Sequence, residues 1–177
     1  MTVLTDGTLV HVVQGTFYVS SHPEATMSTV LGSCISVCLF DPTSAIGGMN
    51  HFLLPTGQGS ESGHIRFGVN AMEKLINELL KSGASRSNLK AKLFGGARMS
   101  ATLGDIGGQN AAFAHAFLTN EEIPCLSESI GGTLARRILF RPTTGQVKLR
   151  FVQNDEVELN QMPVSDSQPQ AGSVVVF

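Results

Sequence analysis

The chain has 177 residues, 42% of them hydrophobic and 15% charged, with a net charge of −2. That length suits one domain with its own core, and the near-neutral charge argues against nucleic acid as a partner. No apolar run is long enough to span a bilayer, no tryptophan offers a stacking platform, and three irregularly spaced cysteines do not make a disulfide framework. The start, Met1-Thr2-Val3-Leu4-Thr5-Asp6, lacks the basic and apolar regions of a signal peptide, so a cytoplasmic protein is expected.

In chain order, Leu9–Val13 and Thr16–Val19 read as short strands, rich in β-branched and aromatic residues. Ser20-Ser21-His22-Pro23 reads as a turn, and a third strand is expected over 25–31. After Gly32-Ser33 a run from Cys34 to Phe40 alternates. Ile35, Val37 and Leu39 point one way, and Cys34, Ser36, Cys38 and Phe40 the other. Asp41-Pro42 ends it. The run Ile46–Leu54 follows, with Met49, His51 and Leu53 on one face, and stops at Pro55.

Residues 56–63 read as a polar loop. A helix is predicted over 69–81, where Met72, Leu75, Ile76, Leu79 and Leu80 form an apolar stripe and Gly83 supplies the stop. Leu89–Phe94 reads as a strand. A second helix is predicted from about 109 through Leu118, then a strand over 123–126. Two further strands, 137–140 and 147–152, flank the turn Thr143-Thr144-Gly145-Gln146. The glycine pairs at 47–48, 95–96, 107–108 and 131–132 are expected at turns, bulges or close contacts rather than in helices. Gly104-Asp105-Ile106-Gly107-Gly108 lacks the spacing of a phosphate loop and reads as a turn. Arg136-Arg137 reads as a solvated edge or a rim. The expected organisation is a domain over 1–153 and a flexible tail over 154–177, ending in the short apolar run Val174–Phe177.

The chemistry lies in Leu31-Gly32-Ser33-Cys34 and Gly47-Gly48-Met49-Asn50-His51. Neighbouring strands can bring a thiol beside an imidazole, the minimal set for nucleophilic attack on a carbonyl. The common fate of a free cysteine and of a lone histidine on an apolar face is packing, and Cys38 and Cys125 fit that role. Cys34, at a turn whose N–H groups can hold an oxyanion, is the candidate nucleophile, and His51 the candidate base. His64 is a fallback base. Ser28, Thr29 and Asn50 are candidates to orient the imidazole, although Asn50 should face away from His51. With no paired C-x-x-C ligands, neither a metal nor a cofactor is expected.

The segments Leu31–Cys34, Asp41-Pro42 and Gly47–Pro55 resemble the CheD family of chemoreceptor glutamine deamidases. Further matches are Leu93-Phe94-Gly95-Gly96-Ala97 with Met99, Ile106-Gly107 with Asn110, Ile130-Gly131-Gly132 with Arg136-Arg137, and Thr144-Gly145. The resemblance implies an α+β fold similar to the catalytic domain of cytotoxic necrotizing factor, with mixed β-sheets packed face to face and helices outside (α/β/β/α). It implies a Cys–His–Thr triad in which Cys34 is the nucleophile and His51 the base. The family threonine lies six residues before the cysteine, where this chain has Ser28. Ser28 is therefore the expected orienter, with Thr29 second.

The implied reaction hydrolyses a glutamine side-chain amide on the cytoplasmic helical domain of a chemoreceptor, through a thioester. A CheC-type phosphatase is the other implied partner. The alternative is a non-catalytic chemotaxis adaptor that binds receptors or such a phosphatase. A third class, another thiol enzyme such as a peptidase or a transferase, differs in cleaving the chain or incorporating an amine.

Overall fold

The computed structural model describes residues 9–56, 61–102, 104–153 and 174–177. Ten strands and two helices follow one another as β1 (Leu9–His11), β2 (Phe17–Ser20), β3 (Thr26–Leu31), β4 (Ile35–Asp41), β5 (Ile46–Asn50), α1 (Glu61–Lys81), β6 (Lys90–Gly95), α2 (Ile106–Asn120), β7 (Cys125–Ile130), β8 (Ala135–Phe140), β9 (Val147–Val152) and β10 (Val175–Val176). They form two five-stranded sheets, ordered β1-β3-β8-β9-β10 and β2-β5-β4-β6-β7. Each sheet is mixed: β1 runs parallel to β3 and β6 parallel to β7, while the other pairs are antiparallel.

The alternation of β4 decides the layering. Ile35, Val37 and Leu39 pack with Met72, Leu75 and Leu79 of α1 and with Ala114 and Leu118 of α2. Cys38 and Phe40, on the other face, join Met27 and Leu31 of β3 and Ile138 and Phe140 of β8. The second sheet is thus buried on both faces, and every residue of β4 is buried. Fully burying each of the large α1 residues stabilises the domain by roughly 1.5–3 kcal/mol. The face-to-face mixed sheets with outer helices are the expected α+β architecture. Among the described residues both helices lie on the second sheet, so the layers number three, α/β/β, where four were expected.

Four local expectations change. Helix α1 begins at Glu61, about two turns before the predicted start at 69, so 61–63 are helical and not loop. Gly63 and Gly68 hide these turns from a propensity reading. Gly68 is required there by packing, because a Cβ would lie 2.5 Å from the Phe113 ring of α2. Gly107 and Gly108 sit in the first turn of α2, capped by Asp105, whose Oδ1 accepts from Gly108 N–H at 2.9 Å. A Cβ on Gly107 would meet the Gly96 carbonyl at 2.4 Å, so the helix and the end of β6 touch backbone to backbone.

Arg136 is not a solvated edge. It is buried, donates to the Ser129 and Gly131 carbonyls, and stacks 5.3 Å from the Phe151 ring, tying β8 of one sheet to β7 of the other. Finally, Val175–Val176 pair antiparallel with β9, and Phe177 exchanges two backbone hydrogen bonds with Val147. The last residues of the expected tail therefore belong to the first sheet. The rest of that tail, 154–173, lies outside the described residues, as does the 57–60 part of the predicted loop.

Candidate active site

The turn between β3 and β4 is held from behind. Ala97 N–H donates to the Gly32 carbonyl at 2.9 Å, Asn110 Nδ2 to the Ser33 carbonyl at 2.9 Å, and Gly96 N–H to the Cys34 carbonyl at 2.8 Å. Pinning three successive carbonyls fixes the peptide planes, and with them the direction of the turn's N–H groups. Asn110 also accepts from Leu54 N–H at 3.0 Å, so one buried carboxamide on α2 ties the Cys34 turn to the segment after β5. Replacing Asn110 with Ala leaves both backbone groups unsatisfied. The expected cost is about 2 kcal/mol or more in urea unfolding, with activity per folded molecule falling as well. Unchanged stability would contradict the clamp.

Strand β5 leaves β4 just where His51 stands. Cys38 still pairs with Met49, and Ile35 exchanges two hydrogen bonds with Phe52 at 2.9 Å. Between them the Val37 N–H bonds the Asn50 side-chain Oδ1 at 2.9 Å in place of a backbone carbonyl. His51 instead bonds the β1–β2 turn: its N–H donates to Thr16 at 3.0 Å and its carbonyl accepts from Gly15 at 2.7 Å. Asn50 also bonds the Met72 sulfur on the helix side, facing away from the imidazole as its parity predicts.

In the register set by Ile35 and Phe52, Cys34 lies opposite Leu53 and His51 opposite Ser36. Cys34 and His51 are therefore diagonal neighbours on the inter-sheet face, a relation that sets Cα atoms roughly 7–8 Å apart.

The imidazole is oriented by Thr29 and not by Ser28. His51 Nδ1 lies 2.9 Å from Thr29 Oγ1 and 3.2 Å from the Val12 carbonyl. The Thr29 hydroxyl donates its own hydrogen to that carbonyl at 2.7 Å. Both atoms facing Nδ1 are thus acceptors, so Nδ1 carries the proton and Nε2 is the free base. Nε2 is buried and has no hydrogen-bond partner among the described residues. Ser28 is a neighbour in sequence but sits on the opposite face of β3, because Thr29 shares the inter-sheet parity of Met27 and Leu31. That parity, Met27-Thr29-Leu31, was the sequence signal for the threonine.

The thiol is half-buried and turned to Gln14, donating to Oε1 at 3.3 Å. Burial raises it from the ordinary 9.0 to about 11, against the lowering effect of its own backbone N–H. Burial also lowers His51 below its ordinary 6.5, partly opposed by the bond to Val12. Near neutral pH the pair is a neutral thiol and a neutral imidazole. Cys38 is fully buried and pushed far higher by burial, which leaves it inert.

A thiol raised on folding loses stability as pH climbs from 9.0 towards about 11, and an imidazole lowered on folding loses stability as pH falls below 6.5. Alkylation of Cys34 by iodoacetamide should rise with pH towards a midpoint near 11. A midpoint in the neutral range would contradict a neutral pair.

Of the residues the sequence singled out, Cys34 and His51 lie on the inter-sheet face and Ser28 on the opposite face of β3. His64 lies in the first turn of α1. Gln14 belongs to no motif of the sequence, and Asn110 only to one carried by the family resemblance. No local pattern marks Gln14, because its place depends on the β1–β2 turn folding against β5.

The chain is thus a mixed two-sheet α+β domain that carries a thiol and an oriented imidazole on the face between its sheets. Residues 53–151 match the family described as CheD chemotactic sensory transduction. A protein of Cereibacter sphaeroides named "Probable chemoreceptor glutamine deamidase CheD" is 48% identical over 96% of this chain and 85% of its own length. Proteins given the same name in Caulobacter vibrioides (53% identical, 82% of this chain and 79% of theirs) and, as CheD 1, in Ruegeria sp. (50%, 86% and 82%) are also similar. The chain belongs to the CheD family. Among the described residues no helix is long and apolar enough to cross a membrane.

Proposed function

We propose that this chain is a chemoreceptor glutamine deamidase, with Cys34 as nucleophile, His51 as general base and acid, and Thr29 as the group that fixes the ring. The observation that carries the reading is the free Nε2 of His51, its tautomer set by two acceptors, beside a same-face thiol on the neighbouring strand.

A turn about χ1 moves the Cys34 sulfur from Gln14 towards Nε2, between staggered wells. His51 takes the thiol proton as sulfur attacks the side-chain carbonyl carbon of a substrate glutamine. The C–N bond breaks, and the imidazolium gives its proton to the departing ammonia. Water, deprotonated by His51, then attacks the thioester. Glutamate is released and the thiol is restored. Because the resting pair is neutral, proton transfer accompanies attack and does not precede it. The substrate is the cytoplasmic helical domain of a chemoreceptor, the protein works in the cytoplasm, and a CheC-type phosphatase is a second partner.

The test is mass spectrometry of receptor peptides after incubation with the wild type and with Cys34→Ala. Conversion of glutamine to glutamate by the wild type alone supports the reading. Conversion by both would overturn it, and binding without conversion by either would favour a non-catalytic adaptor. Within the site, Thr29→Val is expected to lower turnover about tenfold or more by loosening the base, while Ser28→Ala leaves it within about twofold. The opposite ranking would return the orienting role to Ser28.

A further inference from the structure

The sulfur of Cys34 sits between two groups that suit an anion. One is its own backbone N–H. The other is the side-chain carboxamide of Gln14, 3.3 Å away. Gln14 is held there by a rigid turn. Thr16 bonds the Val13 carbonyl through both its N–H (3.1 Å) and its hydroxyl (2.7 Å). Gly15 adopts φ +85°, and its N–H is fixed to the His51 carbonyl at 2.7 Å. The residue before Gly15 therefore projects over the thiol from a backbone tied to the base itself.

The catalytic reading requires the sulfur to leave this position for His51 Nε2. The space it vacates lies beside Cys34 Cα, next to where the attacked carbonyl must sit. An oxygen placed there would lie within reach of both groups. The ends of a carboxamide are isosteric, so a half-turn about the terminal torsion of Gln14 replaces the acceptor Oε1 by the donor Nε2.

We infer that Gln14 is a catalytic residue whose side-chain N–H holds the oxyanion, together with the Cys34 backbone N–H, and that the resting thiol occupies this oxyanion site. The inference rests on the deamidase reading above. It gives one residue two tasks: acceptor for the thiol at rest, donor to the tetrahedral intermediates of acylation and deacylation. No bond to Gln14 forms or breaks. The half-turn of its amide accompanies the swing of the sulfur. Removing one such donor costs on the order of 10²–10³ in turnover.

Three readings of Gln14→Ala and Gln14→Glu separate this role from a structural one. For Gln14→Ala, kcat for receptor deamidation should fall about 10²-fold or more, with KM within about twofold of wild type because the interaction exists only in the transition state. Gln14→Glu keeps the size and the acceptor but has no donor, so it should be no more active than the alanine variant. Alkylation of Cys34 by iodoacetamide makes no oxyanion, so its rate in Gln14→Ala should match or exceed that of wild type. Wild-type kcat in either variant would overturn the inference. A parallel fall of alkylation and kcat would also overturn it, since Gln14 would then act on the thiol alone. Gln14 is exposed, and Gln14→Glu preserves its volume, so a folding defect in one variant leaves the other to decide. Deamidation that survives Cys34→Ala would remove the underlying reading; deamidation lost in Cys34→Ala but intact at Gln14→Ala would remove only this one.

Discussion

Cys34→Ala and His51→Ala are each expected to lower receptor deamidation by about 10³-fold or more, and the double variant by little beyond either. The reason for non-additivity is mechanical. His51 Nε2 has no hydrogen-bond partner among the described residues, and in the proposed mechanism it carries first the thiol proton and then the ammonia proton. Without the sulfur, the base has nothing to activate. Without the base, a thiol raised to about 11 is a thiolate in only a minute fraction near neutral pH. The measurement is conversion of glutamine in a receptor fragment, with thermal melting of each variant as the check on folding. Losses that multiply in the double variant would show two independent roles and contradict a coupled pair. Strongly alkaline buffer should partly restore His51→Ala, because hydroxide then does the work of the imidazole.

Gly95→Ala is expected to cost about 2–4 kcal/mol in urea unfolding and to abolish turnover in the molecules that remain folded. Gly95 sits at φ +111°, and a Cβ there would lie 2.1 Å from the Cys34 carbonyl oxygen. The carbonyl must move, and the Cys34 N–H and sulfur move with it. Gly47→Ala is the comparison. Its Cβ would meet the Pro142 carbonyl at 2.3 Å, at the far end of β5 from His51. A similar loss of stability is expected there, with turnover per folded molecule retained. Equal turnover per folded molecule in the two variants would show that the close approach at Gly95 does not position the nucleophile.

These glycines also mark what could be read from the amino acids and what could not. Two-residue alternation placed β4 and its two faces correctly, because each face meets a separate apolar cluster. The stripe Met72-Leu75-Ile76-Leu79 located α1. Its first two turns were invisible, since Gly63 and Gly68 weaken the helical signal and the packing of Gly68 against Phe113 of α2 has no local signature. Arg136 read as solvated because its partners, the Ser129 carbonyl of β7 and the Gly131 carbonyl just beyond it, belong to the other sheet's edge.

Within the proposed site, a turn, an alternation and a resemblance single out Cys34 and His51 as candidates, and the fold sets them on one face of neighbouring strands. The third group was placed one residue off. Counting six residues back from Cys34 selects Ser28, whereas counting by strand parity selects Thr29, and parity decides which side chains share a face. Gln14 and Asn110 were not legible as site residues. Each reaches the Cys34 turn across a separation in sequence that only the folded sheets close.

In the proposed mechanism sulfur 34 forms an acyl bond to the substrate side chain. Acid quenching of the enzyme during turnover on a receptor peptide, followed by proteolysis and mass spectrometry, tests it most directly. The expected result is a Cys34 peptide carrying the receptor peptide less ammonia, lost on treatment with hydroxylamine and absent from Cys34→Ala. Active turnover with no such adduct, or an adduct mapping to Cys38 or Cys125, would contradict it.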